Sequence, residues 1–337
     1  MGSGVAKLIL SKEGIELVGA IAHRDTKIGK DLGEILGLKK KLGVIISSDR
    51  DPSQAWRGND VNILLHATCS TVSDAFPQIR KAIEDGLNVI SSAEELAYPD
   101  AQNPELAKEI DELAKKHGVS VLGTGINPGF VLDALIIMLT GVCFNVKRIE
   151  ATRINDLSPY GSTVLNSQGV GTSVEGFRKG VTDGTIVGHV GFPESIKMIA
   201  DSLGWKLDKV EESREPIVSK SERETPYIKV EPGMVAGCKQ IGRGIVNGEE
   251  RILLVHPQQI HPELEDTKTG DFIKIEGTPP IDLRIEPEIA GGVGTIALMV
   301  NMIPAVMNAK PGLVTMASLP IPSALLGDVS TKVRVEG

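Results

Sequence analysis

The sequence predicts an α/β protein: a doubly wound parallel sheet followed by a second, α+β domain. Two observations carry this. Through residue 140, short apolar strand patterns alternate with amphipathic helical ones, the rhythm of strands joined by crossover helices. From about Asn145 the strands lengthen and alternate, with long polar stretches between them, which suits a mixed or antiparallel sheet.

The elements follow in order. The opening MGSGVAKLIL places Val5, Leu8 and Ile9 at helical spacing. Glu16 to Ala22 reads as a strand, Val44 to Ser47 as a weaker one, and Val61 to Ala67 as a strand buried on both faces. Asn88 to Ser91 and Ser120 to Gly123 are two more strands. Val72 to Asp85 and Pro104 to His117 read as helices, each closed by a glycine, Gly86 and Gly118. In the second half VKRIEATRI, ERILLVH, DFIKIEG and IDLRIEP read as strands, and the charged run Glu211 to Glu224 as part of a polar connection. An apolar helix over Ala290 to Met307 and a Pro-rich tail return to the first domain. The expected domains are therefore 1–143, 144–288 and 289–337.

With 337 residues, 41% of them hydrophobic, the chain can bury cores for two domains. A net charge of -8 with interspersed signs argues against a nucleic-acid partner, and 3% aromatic residues removes the stacking platforms of single-strand binders. Small molecules are the expected partners. Three cysteines without C-x-x-C spacing indicate neither a disulfide framework nor a zinc site, and fit a reducing cytoplasm. No metal site is expected. No apolar run is long enough to span a bilayer and no signal-peptide layout is present. Gly2 resembles a myristoylation site, but Ala6 stands where Ser or Thr is needed.

A dinucleotide fingerprint is a strand followed by G-x-G-x-x-G opening a helix. Here the strand is missing: Gly2, with Ser3 beside it, takes the place of the third glycine. The strand and first two glycines are expected upstream of Met1, with the natural chain starting about ten residues earlier, the length of a strand and its turn. An acidic ribose ligand is expected about 20 residues on, where A-H-R-D offers His23 and Arg24. Arg24 suits a 2′-phosphate and hence NADP; Asp25, shifted, would take a ribose and leave NAD open, and the plain alternative is a solvated loop. In H-A-T-C-S-T, His66, Ala67 and Thr68 end a strand where a parallel sheet meets its ligand, with the backbone of Ala67 and Thr68 lining the nicotinamide ribose. Cys69 has no base in sequence to make it a thiolate, which favours loop packing.

The strand that ends in N-V-I-S-S-A-E-E-L-A-Y-P presents two carboxylates. Ser92 and Glu95 have capping-box spacing, which leaves Glu94 as the catalytic candidate against a merely solvated carboxylate. In G-T-G-I-N-P-G-F, Asn127 offers a donor and an acceptor. Arg153 and Asn155 end a strand, where Arg153 either forks onto a substrate carboxylate or belongs to a solvated polar face. His256 ends ERILLVH as a polar strand terminus with the same two readings.

MGSGVAKLIL, KDLGEILGL, LLHATCS, SSAEELAYP, GTGINPGF and GGVGTIALMVNMIPAV together resemble the 2,4-diaminopentanoate dehydrogenase family, which includes native amine dehydrogenases. The resemblance covers most of the chain in order and reaches more broadly to dihydrodipicolinate reductase and homoserine dehydrogenase. It implies a Rossmann-type dinucleotide-binding domain, a substrate and dimerisation domain, and a homodimer using NADP or NAD. The implied reaction is oxidative deamination of an amine, with 2,4-diaminopentanoate giving 2-amino-4-oxopentanoate and ammonia, and the reverse reductive amination. By motif position it makes Glu94 the base and gives Asn127, Arg153, Asn155 and His256 to the substrate, Arg153 favouring an amino acid over a simple alkylamine. The alternatives are an NADP-dependent reductase of another imine or semialdehyde, or a nucleotide-binding regulator without catalysis.

Overall fold

The computed structural model describes residues 1–334. The chain divides into two compact units, one of residues 1–126 with the chain from Gly291 onward, the other Asn127–Ala290. Among the described residues no helix is long and apolar enough to cross a membrane.

The first unit is the Rossmann-type half, with all its strands parallel. β1 (Ala20–Ala22) pairs with β2 (Ile46–Ser48), flanked by α1 (Gly2–Ile9) and α2 (Leu32–Ile35). A separate four-stranded sheet has the order β14-β5-β4-β3, built from β3 (Ile63–His66), β4 (Asn88–Ser91), β5 (Ser120–Gly123) and β14 (Gly312–Val314). α3 (Val72–Glu84) and α4 (Pro104–His117) cross over between these strands. On α3 the side chains of Val72, Ala75, Phe76, Ile79, Ala82 and Ile83 recur every three or four residues and are all buried, one apolar stripe against the sheet. Thr71 caps its start by accepting from the Asp74 N–H, and α4 ends on Gly118 in the left-handed conformation.

Three expectations are corrected here. β1 and β2 are three-residue strands, shorter than their apolar runs. β3 is half-buried rather than buried on both faces, because it is the edge of its sheet and pairs only with β4. The C-terminal helix is two helices, α9 (Gly291–Asn301) and α10 (Ile303–Met307), with Pro304 in the first turn of the second.

The second unit is built on a six-stranded mixed sheet, order β13-β12-β6-β11-β10-β7. Its strands are β6 (Asn145–Asp156), β7 (Lys209–Val218), β10 (Val235–Val246), β11 (Glu249–Gln259), β12 (Gly270–Thr278) and β13 (Ile281–Ile285); β8 (Arg223–Thr225) and β9 (Ile228–Val230) form a small hairpin. Only β6 and β11 run parallel. α5 (Ala134–Thr140), α6 (Ser162–Ser167), α7 (Val174–Asp183) and α8 (Phe192–Ser202) complete it. Along β6, Ile149, Ala151, Arg153 and Asn155 are buried and alternate with half-buried neighbours, so one strand face carries both core and polar functional groups.

The charged run expected to be a connection contains β7 instead. Its charges find partners across the sheet, as Glu215 does with Lys239 at 3.2 Å, so a polar strand is stable here. β10 was silent in the sequence because three glycines interrupt it; Phe192 and Ile196 of α8 occupy the space a Cβ on Gly242 would take.

Candidate functional site

In the first unit β4 delivers the chain into a 3-10 turn, Glu94–Ala97. A Cβ on Gly123 would fall 2.1 Å from the backbone of Leu96, so only glycine lets this turn rest against the end of β5. Glu95 is the structural carboxylate, but not through a box with Ser92: no side chain caps the turn. It accepts from the Val72 N–H at 2.9 Å and from Asn103 at 3.2 Å, placing its charge at the N-terminus of α3. Glu94 is spared that task. Burial pushes its pKa up, opposed by its own backbone N–H and the Ser70 hydroxyl, with the Glu95 charge pushing further up. Such a carboxylate is a stronger base than a solvated one.

Burial likewise pushes the Cys69 thiol up, with the Asp74 and Glu94 charges adding to it, so Cys69 is no thiolate. His66 is consumed internally. Its ring meets Ser91 Oγ at 2.8 Å, Thr68 Oγ1 at 2.7 Å and Gln78 Oε1 at 3.2 Å, its carbonyl accepts from the Ser92 N–H, and burial keeps it neutral. His66 is thus a brace for its loop, correcting the expected ligand contact; Ala67 and Thr68 remain the accessible members.

The N-terminus of α1 fits a dinucleotide phosphate. No side chain caps it, Gly2 and Ser3 are exposed, and nothing lies within 4 Å of a Cβ built on Gly2, leaving free N–H groups at the positive end of a helix. The close helix contact is made by Gly4, where a Cβ would fall 2.3 Å from Ile296 Cδ1. At the end of β1, His23 Nδ1 is 2.7 Å from Asp49 and Arg50 lies 3.9 Å from Asp25, while Arg24 is exposed.

The second unit gathers Asn127, Asn155 and His256 with a residue that sequence reasoning missed, His189. His256 Nε2 is 2.8 Å from Asn155 Oδ1, which accepts, so the other nitrogen, Nδ1, carries the lone pair and faces Asn127 Nδ2 at 3.4 Å. His189 Nε2 lies 3.0 Å from the Asn127 carbonyl, to which it donates. The two imidazoles meet edge to face at 4.9 Å, and Phe192 lies nearly parallel to His256 at 6.3 Å. Asn127 Oδ1 is buried with no hydrogen-bond partner, an acceptor awaiting a donor. Both rings are held neutral: burial, then the Arg153 charge, lowers His189 to about 4, and burial with the His189 and Arg153 charges takes His256 well below its ordinary value. Asp133 holds the Asn127 turn to α8, accepting from the Gly129 N–H at 2.7 Å and Ser195 Oγ at 2.8 Å.

Arg153 is corrected. Its guanidinium donates to Asp271 at 2.5 Å and to the Ile289 carbonyl at 2.6 Å, both within the unit, and it is 2% exposed. The fork is therefore already filled, and Arg153 contributes a fixed positive charge rather than an open carboxylate clamp. The only sequence sign of His189 was its glycine-flanked setting, V-G-H-V-G-F-P, just ahead of α8.

The model of the 2,4-diaminopentanoate dehydrogenase C-terminal domain matches residues 130–335, and that of the dihydrodipicolinate reductase N-terminus matches residues 1–122. The chain is 48% identical to 2,4-diaminopentanoate dehydrogenase of Acetoanaerobium sticklandii, over 97% of this chain and 93% of that one. It is 28% identical to an amine dehydrogenase of Streptomyces virginiae, covering 92% and 91% of the two chains. The solved amine dehydrogenase of Mycobacterium smegmatis superposes with a TM-score of 0.84 at 28% identity, covering 96% and 94%. The chain belongs to the 2,4-diaminopentanoate dehydrogenase family.

Proposed function

We propose that this protein deaminates 2,4-diaminopentanoate oxidatively to 2-amino-4-oxopentanoate and ammonia, and runs the reverse reductive amination. Family membership makes it an oxidoreductase acting on an amine, with a nicotinamide cofactor. The observation that carries the finer reading is Glu94, a carboxylate with its pKa pushed up and its neighbour Glu95 doing the structural work.

A nicotinamide, when bound, supplies the hydride acceptor. Glu94 takes a proton from the substrate ammonium, so that the free amine reacts. Glu94 passes that proton to solvent, and once the amine carbon has lost hydride it serves again as base, taking the proton of the water that adds to the iminium carbon. Glu94 then returns its proton to the nitrogen, the C–N bond breaks, and the hydroxyl proton passes to solvent, giving ammonia and the ketone. In reverse, the Glu94 carboxylate holds ammonium.

Asn127, Asn155, His189 and His256 take the polar groups beyond the reacting amine. The unpartnered Asn127 Oδ1 supports a substrate with a second N–H donor, which a diamine has and a simple alkylamine lacks. Arg153 acts through its charge on this cluster. Gly2 and Ser3 take the pyrophosphate, Ala67 and Thr68 the nicotinamide ribose, with His23 beside Arg24 near the adenine ribose. NADP is the preferred form, supported by an exposed Arg24 that makes no ion pair among the described residues, while Asp25 is engaged by Arg50. The working form is a homodimer in a reducing cytoplasm, consistent with three unpaired cysteines.

Reduction of 2-amino-4-oxopentanoate by NADPH tests the reading. It should proceed only when ammonium is present; reduction without ammonium would assign the chain to ketone or semialdehyde reduction instead.

A further inference from the structure

His189 stands in an irregular stretch between α7 and α8, residues 184–191, in which Gly184, Gly188 and Gly191 have positive φ. Nothing in that local sequence fixes the ring. What holds the backbone beneath it is Gln240 on β10, whose side-chain amide pairs with both backbone groups of His189. Oε1 accepts from the His189 N–H at 2.7 Å, and Nε2 donates to the His189 carbonyl at 2.8 Å.

The same Nε2 donates to Glu212 Oε1 at 2.8 Å. A carboxylate only accepts, so Glu212 dictates which way the amide points. Gln240 is 1% exposed and sits opposite His256 across β10 and β11, and opposite Arg214 across β10 and β7. Arg214 Nε donates to the Val187 carbonyl at 2.5 Å, a second tie on the same stretch. The backbone approaches so closely that a Cβ on Gly188 would lie 2.5 Å from Gln240 Oε1.

We propose that Gln240, oriented by Glu212, is a positioning residue: it sets the His189 imidazole against Asn127 and His256 and thereby governs recognition of the substrate's second polar end. This rests on the reading of that cluster as substrate-binding. Without the amide, both His189 backbone groups lose their partners, and the stretch is left with its Arg214 tie and the ring's bond to the Asn127 carbonyl, which loosens the ring's position, while Glu94 and the chemistry it performs are untouched.

Gln240→Met keeps the length of the side chain and removes all three hydrogen bonds. Amide hydrogen exchange over residues 184–191 should quicken, and the KM for 2,4-diaminopentanoate should rise by about tenfold with kcat little changed, the effect of losing about one hydrogen bond of selectivity. In a His189→Ala background the same substitution should add nothing to KM. Glu212→Gln, which lets the amide turn over, should move KM in the same direction by less, and serves if Gln240→Met does not fold. Unchanged exchange and KM would overturn the proposal, and so would a KM rise that persists in full without His189. If the wild type fails to turn over 2,4-diaminopentanoate, the functional reading falls, and the exchange result alone decides whether Gln240 positions the loop.

Discussion

Among single residues, what matters is which charges are available to act. Glu94 is in no ion pair among the described residues and its pKa is raised by burial, so the rate of amine oxidation should climb with pH as the carboxylate forms and level off once it has. Glu94→Gln should abolish that acidic limb and lower kcat by about 10²- to 10⁴-fold; a pH–rate profile of both proteins checks it. Arg153 and Asp271 are not free. Asp271→Ala strands a buried guanidinium and should cost about 3–5 kcal/mol in denaturant unfolding. His189 titrates at about 4 when folded against an ordinary 6.5. The unfolded chain then binds the extra proton first as pH falls, so this residue's contribution is intact above 6.5 and is lost progressively toward 4. His189→Gln should flatten that part of the plot of Tm against pH, although its absolute Tm also reflects lost packing.

At the scale of elements, one close approach matters for the chemistry. Gly123→Ala drives a methyl into the Leu96 backbone, so it should cost about 1–3 kcal/mol and lower kcat by shifting the turn that carries Glu94. Calorimetry with initial rates checks both. Elements with a regular apolar period were legible to the residue: β4, β5 and α4 begin and end where the pattern does. β7 and β10 were not, because the first is stabilised by cross-strand charge pairs and the second by helix side chains packing over its glycines. Neither device leaves an alternating apolar trace. Glu95 was rightly read as structural, but its partner lies 23 residues back at Val72, beyond any local motif.

At the scale of the whole molecule, the two units hold complementary chemistries. The first carries the uncapped helix and the raised carboxylate; the second carries neutral imidazoles and amides around an unfilled acceptor. Arg153, Asn155 and His256 were legible as polar residues in apolar strands, although β6 and β11 run on past them to Asp156 and Gln259 and bury all three. His189 was not, because its place depends on Gln240, 51 residues away. For the same reason Arg153 looked available until Asp271 and Ile289 were seen to fill its fork. The role of Glu94 is tested most directly by oxidation of 2,4-diaminopentanoate with NADP⁺, following reduced cofactor and released ammonia together in the wild type and in Glu94→Ala. Equal amounts of the two products are expected from the wild type and a large loss of both in the variant; reduced cofactor without ammonia, or an undiminished variant, would rule out deamination through Glu94.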